Sequence, residues 1–293
     1  MLKLYNAPHS TCSQKARICL HEKGLPFEDI RLDLGKSKDQ LKPEYLKLNP
    51  NGVVPTLIDD GNVIVDSSVI CEYLDEKYPE PRLTPDDIVQ RAKMRAWMRY
   101  LEEVPTVAVR VPSFNMGFLP RFAGLDEDRF RAEQSDIRPI RKHFYRRMTP
   151  TGFKQADVEA ALEQIDATCA RMEKALADGP WLMGEQYTIA DIVVTPSIDR
   201  MADLGYSSIW QRKYPRVTDW YARMQARPAF QQAFYPGTRM SETFSLSPAI
   251  VYCSPISQGP ACSACSIRAQ VLSICSSAAS TSARLKPAGL MRR

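Results

Sequence analysis

Two kinds of hydrophobic pattern alternate over the first part of the chain. LKLYN and FEDIRLDL are strand-like, whereas SQKARICLHEKG, KDQLKPEYLKLN and SSVICEYLDEKY carry the apolar spacing of helices. VVPTLIDDGNVIVD predicts two strands joined at Asp60-Gly61, which is a strong hairpin signal. The order βαβαββα predicts one small mixed sheet with helices on its faces.

Beyond Pro85 the pattern becomes helical, with apolar residues three or four positions apart. The stretches that show it are DDIVQRAKMRAWMRYLEE, ADVEAALEQIDATCARMEKAL, TIADIVVTPSIDRMADLG and VTDWYARMQARP. The sequence therefore predicts an α/β domain over residues 1–80, followed by an all-helical bundle domain over residues 86–240.

The last part of the chain has neither period. Residues 245–293 are rich in serine and contain no carboxylate, so we expect a disordered extension there. Cys262 and Cys265 form one CxxC pair, but no second pair or histidine pair stands at ligand spacing, so we predict no metal site.

Charge and apolar content exclude several classes of partner. The net charge is +5, and residues 245–293 contain five basic and no acidic residues, which leaves the body near neutrality and argues against nucleic-acid binding. No apolar run is long enough to span a membrane and no secretory signal is visible, so we expect a cytoplasmic protein. The four cysteines of the body are expected to be reduced thiols.

The stretch NAPHSTCSQKARICL places Ser10, Thr11, Cys12 and Ser13 between the first predicted strand and helix. A helix N-terminus presents free N–H groups and partial positive charge, and therefore favours an anion. These hydroxyls either cap the helix, which is common, or donate a hydrogen bond to a bound anion. Both interpretations are open from the residues alone.

Two further features favour a ligand site. Pro55 is unusual at the start of a paired strand, and a cis Val54-Pro55 bond would leave the Val54 N–H and C=O free to pair with an extended, peptide-like ligand. Asp66, Ser67 and Ser68 begin the third predicted helix, which supplies a second N-terminus suited to an anion or only a cap.

These motifs together resemble the glutathione transferases, over roughly residues 1–235. STCSQKARICL is similar to the S-[ST]-C-x-x-[RK]-x-R-I motif of the zeta class, and its Ser-x-Cys-Ser-x-Lys spacing to the tetrachlorohydroquinone reductive dehalogenases. LNPNGVVPTL resembles the loop into the cis-proline strand, DSSVICEYL the glutamyl-binding segment, and WLMGEQYTIADI the C-terminal signature. The resemblance implies a thioredoxin-like N-terminal domain, an all-helical second domain and glutathione as cosubstrate.

The resemblance also implies roles for individual residues. Ser10 would donate to the glutathione sulfur, Cys12 could itself become a low-pKa nucleophile, and Ser13 is the reserve donor. For the rest of glutathione, the resemblance places the γ-glutamyl end at Asp66 and Ser67. It places the cysteinyl unit beside Val54 and the cis-proline Pro55, and a glycyl-end contact at Gln40. Thr188 and Asp191 form a capping box that would serve folding.

The segment from residue 104 to residue 152, here called the insert, is longer than the usual turn after the first bundle helix. Its length and its PIRK run resemble the lignin β-etherase type of bacterial transferase. The electrophile is expected to lie between the domains, beside side chains that could equally be core residues. The candidates are Met98, Tyr100, Phe114, Met116, Phe118 and Phe122.

Three functions remain open at this point. The first is attack of a glutathione thiolate on a hydrophobic, aromatic electrophile, by conjugation, β-aryl ether cleavage or dehalogenation in aromatic degradation or detoxification. The second is a zeta-like cis–trans isomerase of a maleyl-type diacid, which would need cations such as Arg95, Arg99 and Arg110. The third is a non-catalytic binding module. By resemblance we expect a homodimer.

Overall fold

The N-terminal part of the structure is built on a four-stranded mixed sheet. The structure, a computed structural model, describes residues 1–122 and 124–246. The sheet has the order β2-β1-β3-β4, with β1 parallel to β2 and the other pairs antiparallel. The strands are β1 (Leu2–Asn6), β2 (Phe27–Arg31), β3 (Thr56–Asp59) and β4 (Asn62–Val65). The thioredoxin-like architecture expected from the sequence is confirmed.

Three helices accompany the sheet: α1 (Thr11–Glu22), α2 (Pro43–Leu48) and α3 (Ser67–Lys77). The α1 side chains Ala16, Ile18 and Leu20 are fully buried, because the apolar stripe of this helix packs against α3 and the helical half. The predicted helix KDQLKPEYLKLN is interrupted. A 3₁₀ turn at Asp39–Leu41 precedes α2, because Pro43 lacks an N–H and fits only a first helical turn.

The hairpin between β3 and β4 turns at the expected pair. Asp60 and Gly61 both have positive φ, 48° and 87°. Positive φ at both central residues is the geometry of the two-residue turn that matches strand twist. This hairpin places the start of α3 at the same end of the sheet as the start of β3.

The rest of the described chain is helical. Its long helices pack around α10, whose side chains are almost all buried although Pro196 lies inside it. The helices are α4 (Ile88–Glu103), α5 (Pro105–Ala108), α6 (Arg110–Ser113), α7 (Glu127–Arg131), α8 (Lys142–Tyr145), α9 (Gln155–Ala175), α10 (Ile189–Asp203), α11 (Ser208–Gln211), α12 (Pro215–Ala226), α13 (Pro228–Ala233) and α14 (Met240–Thr243).

The insert consists of short pieces. Besides α5 to α8 it contains π-helical turns at Phe114–Phe118 and Ala132–Asp136 and a 3₁₀ turn at Leu119–Phe122. Its π-helical turns widen the helix locally, and such turns occur frequently at functional sites.

Asp191 fixes the beginning of α10. The expected capping box is present, and the buried carboxylate accepts hydrogen bonds from the Thr188 N–H at 3.0 Å, the Leu182 N–H at 3.0 Å and Trp220 Nε1 at 2.9 Å. Burial raises the pKa of Asp191 to about 6, although these donors oppose the shift. The residue therefore ties α10 to the loop before it and to α12.

Within residues 1–122 and 124–246, no helix is both long and apolar enough to cross a membrane. The predicted disordered extension, with Cys262 and Cys265, lies outside the described residues from position 247 onward.

Candidate active site

Ser10 is the N-cap of α1. Its φ of −78° and ψ of 115° are extended, and its Oγ accepts a hydrogen bond from the Ser13 N–H at 3.2 Å. This bond uses a lone pair of the hydroxyl and leaves the hydroxyl proton to be donated elsewhere. Capping and donation to a ligand are therefore compatible in one side chain.

The first turn of α1 contains the unpaired N–H groups that an anion site requires. The Ser10 C=O accepts from the Gln14 N–H at 2.9 Å and the Ser10 Oγ accepts from the Ser13 N–H. In the described part of the chain, the N–H groups of Thr11 and Cys12 have no acceptor. Two donors and the positive end of the helix therefore lie beside the Ser10 hydroxyl.

The other two candidates in this turn differ in access. Cys12 is partly exposed at the second position of α1. Ser13 is completely buried, and its Oγ accepts from the Ala7 N–H at 3.2 Å. The geometry gives Ser13 a role in holding the loop between β1 and α1.

Two buried arginines donate hydrogen bonds to the backbone of the loop between β1 and α1. Arg17 donates to the C=O groups of Ala7, at 3.3 Å, and Pro8, at 3.0 Å. Arg200, on α10, donates to the His9 C=O at 2.5 Å. Burial lowers the pKa of each to about 10, so both stay charged at neutral pH. They fix the backbone that presents Ser10.

The strand start opposite this loop contains a cis Val54-Pro55 bond. The Val53 C=O accepts from the Tyr45 hydroxyl at 2.7 Å and the Asn49 amide at 2.9 Å. Among residues 1–122 and 124–246, neither the N–H nor the C=O of Val54 has a hydrogen-bond partner. Val54 can thus pair with an extended backbone.

Asp66 and Ser67 begin α3 at the end of the sheet where β3 starts. The exposed Asp66 has a φ of 77°, and its carboxylate accepts from the N–H groups of Ser68, at 2.9 Å, and Val69, at 3.2 Å. Positive φ is uncommon for a residue other than glycine and often occurs at functional sites. Within the described chain, the Ser67 hydroxyl and N–H make no hydrogen bond. The open groups of Val54 and Ser67 thus lie at one end of the sheet.

Comparison with known proteins accounts for this arrangement. The family models for the N-terminal and C-terminal domains of glutathione S-transferases match residues 4–82 and 155–223. The β-etherase LigF of Sphingobium sp. is 30% identical over 244 residues, covering 81% of this chain and 95% of LigF. The chain belongs to the glutathione S-transferase family.

The crystal structure of LigF superposes with a TM-score of 0.71 at 31% identity, covering 80% of this chain and 98% of LigF. Glutathione S-transferase Z2 of Arabidopsis thaliana is 32% identical over 232 residues, covering 79% of this chain and 90% of that protein. The tetrachloro-p-hydroquinone reductive dehalogenase of Sphingobium chlorophenolicum is 26% identical, covering 79% and 95%. The chain is thus a glutathione transferase, and glutathione is its cosubstrate.

A partly buried ion pair joins α1, α3 and α4 near the N-termini of α1 and α3. Glu102, on α4, accepts from Lys15 of α1 at 2.6 Å and from the Ser68 hydroxyl of α3 at 2.5 Å. Burial opposes ionisation of Glu102, but Lys15, Ser68 and Arg110 outweigh it, so its pKa lies below the usual value. Sequence periodicity could not reveal this cluster, because its members belong to three separate helices.

Phe118 is the candidate pocket residue that the structure connects to Ser10. Its ring contacts Phe244 at a centroid distance of 5.4 Å, and Phe244 contacts the ring of His9 at 5.0 Å. His9 directly precedes Ser10, and its Nε2 lies 2.9 Å from the Thr243 hydroxyl. We call His9, Phe118 and Phe244 the aromatic wall. Phe244 and His9 were not among the predicted pocket residues, because they are distant in sequence.

Phe114 and Phe122 lie elsewhere, inside the insert. They stack on each other at 5.4 Å and contact Phe130 at 6.3 and 5.1 Å. Met116 is also buried in the insert, at 5% exposure. These side chains form a core of the insert, which agrees with the alternative interpretation of them as core residues.

The two candidates on α4 also face packed surroundings. Met98 is 1% exposed in the bundle core. The Tyr100 hydroxyl pairs with Thr168 of α9 at 3.0 Å, and its ring lies under Arg171 at 4.1 Å. Successive helical residues are about 100° apart, so Tyr100 points away from Glu102 and from the two N-termini. The structure does not bring Tyr100 together with Ser10.

Gln40 lies in the 3₁₀ turn after β2, with 3% exposure. Its Nε2 is 3.5 Å from the Leu34 C=O, and its buried Oε1 has no partner in the described structure. A buried acceptor without a donor is uncommon in native proteins. No group of three or more potential metal ligands occurs among the described residues.

Proposed function

We propose that this transferase uses a glutathione thiolate to displace a leaving group from an aryl-bearing electrophile, with aryloxide as the favoured leaving group. The aromatic wall beside Ser10 is the observation that carries this proposal. Stacked or edge-on rings bind an aryl group with geometric preference. The similarity to the β-etherase LigF over 95% of its length supports the same class of substrate.

Activation of glutathione needs no metal in this proposal. The pKa of a thiol, near 8.5, must fall by about two units for the thiol to be mostly ionised at neutral pH, which takes about 2.7 kcal/mol. A hydrogen bond to a charged group contributes about 1.5–3 kcal/mol, and a helix N-terminus about 0.3–1 kcal/mol. The Ser10 hydroxyl together with the N–H groups of Thr11 and Cys12 suffices.

The displacement is balanced without a further reactant. The thiolate forms a C–S bond as the C–O bond of the ether breaks, and the electron pair leaves with the aryloxide, which takes a proton from water. Displacement of halide follows the same course. Asp66 and Ser67 would hold the γ-glutamyl end, and the Val54 backbone would pair with the cysteinyl unit.

The isomerase alternative receives less support from the structure. It needs cations that can meet the carboxylates of a diacid, but Arg95 is already paired with Glu72, at 2.8 Å, and Glu76, at 3.2 Å, of α3. The charge of Arg110 helps to lower the pKa of the partly buried Glu102. Family membership and the open groups at the thiol site also favour an enzyme over a non-catalytic binding module.

The test compares three substrates with the purified full chain and glutathione: a model β-aryl ether with a nitrophenoxide leaving group, a chloroaromatic compound, and a maleyl-type diacid. Nitrophenoxide release with stoichiometric thioether formation is expected. Isomerisation of the diacid without glutathione consumption would overturn the proposal in favour of the isomerase. Failure of glutathione to bind would overturn both.

A homodimer is proposed for this protein as well. Four apolar side chains are exposed on β4, on α3 and at the start of α4: Val63, Val69, Ile88 and Val89. Burial of these side chains against a second copy would remove apolar surface from water. Light scattering of wild type and of Val69→Glu tests this, with a dimer expected to shift towards monomer. Location in the cytoplasm and participation in aromatic degradation or detoxification remain predictions.

A further inference from the structure

The strand order sets the direction in which a tripeptide can lie across the end of the sheet. Asp66 follows β4, Val54 precedes β3, the Ser10 loop follows β1, and Leu32 follows β2. Neighbouring strands are about 4.8 Å apart, so the distance across the sheet from Asp66 to Leu32 is about 14 Å. Three extended residues span about 10–11 Å. Glutathione anchored at Asp66 and paired with Val54 therefore ends over the loop that follows β2.

The insert contacts that loop at two points. Lys38 Nζ donates to the Glu133 C=O at 3.0 Å. Pro139 packs where Gly52 and Leu41 meet: a Cβ at Gly52 would lie 3.1 Å from Pro139 Cδ and 2.9 Å from Leu41 Cδ2. Gly52 also has a φ of +60°, so the backbone conformation and the close approach of both Leu41 and Pro139 favour glycine there.

Gln40 lies in the chain between these two contacts. Its Oε1 is buried and has no donor among the described residues, which is also true of Gln14 Oε1. Lys38 provides a cation in the same loop, and the Glu133 C=O uses one of its three donors. The loop thus supplies an acceptor and a positive charge directly beneath the insert.

We propose that the insert closes the glycyl end of the glutathione groove, so that the transferase accepts only thiols whose chain ends at the glycine carboxylate. This rests on the proposed function. Free glutathione fits, and Lys38 meets its terminal carboxylate. Glutathione extended through that carboxylate, as an alkylamide or within a longer peptide, meets Pro139 and the backbone around Glu133.

Calorimetry on the full chain separates charge from closure with three thiols: glutathione, its glycine primary amide and its glycine N-butylamide. The primary amide removes the charge with little change in size, whereas the N-butylamide adds bulk. We expect the N-butylamide to bind at least about tenfold more weakly than the primary amide. Both amides lack the carboxylate charge, but only the butyl group would collide with the insert.

Two variants test the contacts directly. Pro139→Ala should reduce the tenfold ratio between the two amides, whereas Pro120→Ala, an exposed proline elsewhere in the insert, should leave it unchanged. Lys38→Met should reduce the preference for glutathione over the primary amide, and the exposed Lys36→Met should not.

The possible results have distinct meanings. Equal binding of the two amides to wild type, with glutathione still bound, would overturn the closure and leave the proposed function intact. A large ratio that Pro139→Ala does not change would place the obstacle outside the insert and also overturn the inference. No binding of glutathione itself would overturn the proposed function.

Discussion

The Ser10 hydroxyl accepts a hydrogen bond from the Ser13 N–H at 3.2 Å and so caps α1, whose first turn lies at the proposed thiol site. The cap orients the hydroxyl proton away from the helix, where it can meet a bound sulfur. In the proposed mechanism the cap interaction and the activation of glutathione are two uses of one side chain, so a substitution of Ser10 should affect both.

We expect Ser10→Ala to raise the pKa of bound glutathione by about one to two units, because a hydrogen bond to a charged group is worth about 1.5–3 kcal/mol. Ultraviolet titration of the bound thiolate measures this shift. Asp87→Ala is the matched control, since Asp87 caps α4 through the Gln90 N–H at 2.8 Å. Each variant should lose about 1 kcal/mol of stability from its cap, but only Ser10→Ala should change the thiol.

Cys12 is expected to be the reactive thiol of the described body. The other three cysteines are buried, and the pKa of two of them is raised: that of Cys71 by its hydrogen bond with Cys19 and by burial, and that of Cys169 by burial. Brief exposure to glutathione disulfide followed by peptide mapping should modify Cys12 before these three.

The consequence of Cys12→Ser decides between the two roles in the sequence motif. Unchanged ether cleavage would assign the chemistry to Ser10 and the helix N-terminus. Loss of turnover together with loss of the mixed disulfide would instead make Cys12 the nucleophile.

Glu102 should make stability depend on pH. Its folded-state pKa is lowered, so the stabilisation is present above the unfolded value near 4.3 and is lost as the pH falls through the folded value. Glu102→Gln should cost about 3 kcal/mol at pH 7, because it leaves the buried Lys15 unpaired.

Urea unfolding of wild type and Glu102→Gln at pH 7 and at pH 3.5 or so tests this dependence, since the difference between them should shrink at the lower pH. The exposed neighbour Glu103→Gln serves as control and should match wild type at both pH values. A constant cost at both pH values would mean that the ionised form of Glu102 is not what stabilises the protein.

Asp191 is expected to be structural. Asp191→Ala should lower the free energy of unfolding by about 3 kcal/mol or more, because it leaves buried donors of Thr188, Leu182 and Trp220 without an acceptor. Asp191→Asn, which keeps one acceptor oxygen, should recover part of this. Thermal unfolding together with the Kd for glutathione checks the assignment: a weakened affinity in folded Asp191→Asn would contradict a purely structural role.

Local patterns in the sequence sufficed to predict the sheet, the long helices, the Asp60-Gly61 turn and the Thr188–Asp191 cap. Each depends on residues a few positions apart, whose periodicity or turn chemistry is visible without the fold. The aromatic wall is different, because Phe118 and Phe244 meet only after the helical half has folded. Tyr100 shows the converse: its sequence position suggested the cleft, but the helical rotation turns it towards α9.

The aromatic wall should determine the affinity for the electrophile without affecting glutathione. Its position is fixed from both sides: Asp203 accepts the Met240 N–H at 2.6 Å, and Met240 lies against Gly117, next to Phe118. We expect Phe244→Ala to raise the KM for an aryl ether about tenfold, since an aromatic pair contributes about 0.5–1.5 kcal/mol beyond the area it buries. The KM for glutathione should stay the same.

Phe234→Ala is the matched control, because Phe234 stacks on Phe230 at 4.3 Å, outside the wall. Steady-state kinetics with an aryl and an alkyl electrophile of similar reactivity separates recognition of the ring from general loss of packing. An equal loss for both electrophiles, or a loss in glutathione affinity, would mean that Phe244 supports the Ser10 loop through His9 and does not select the aryl group.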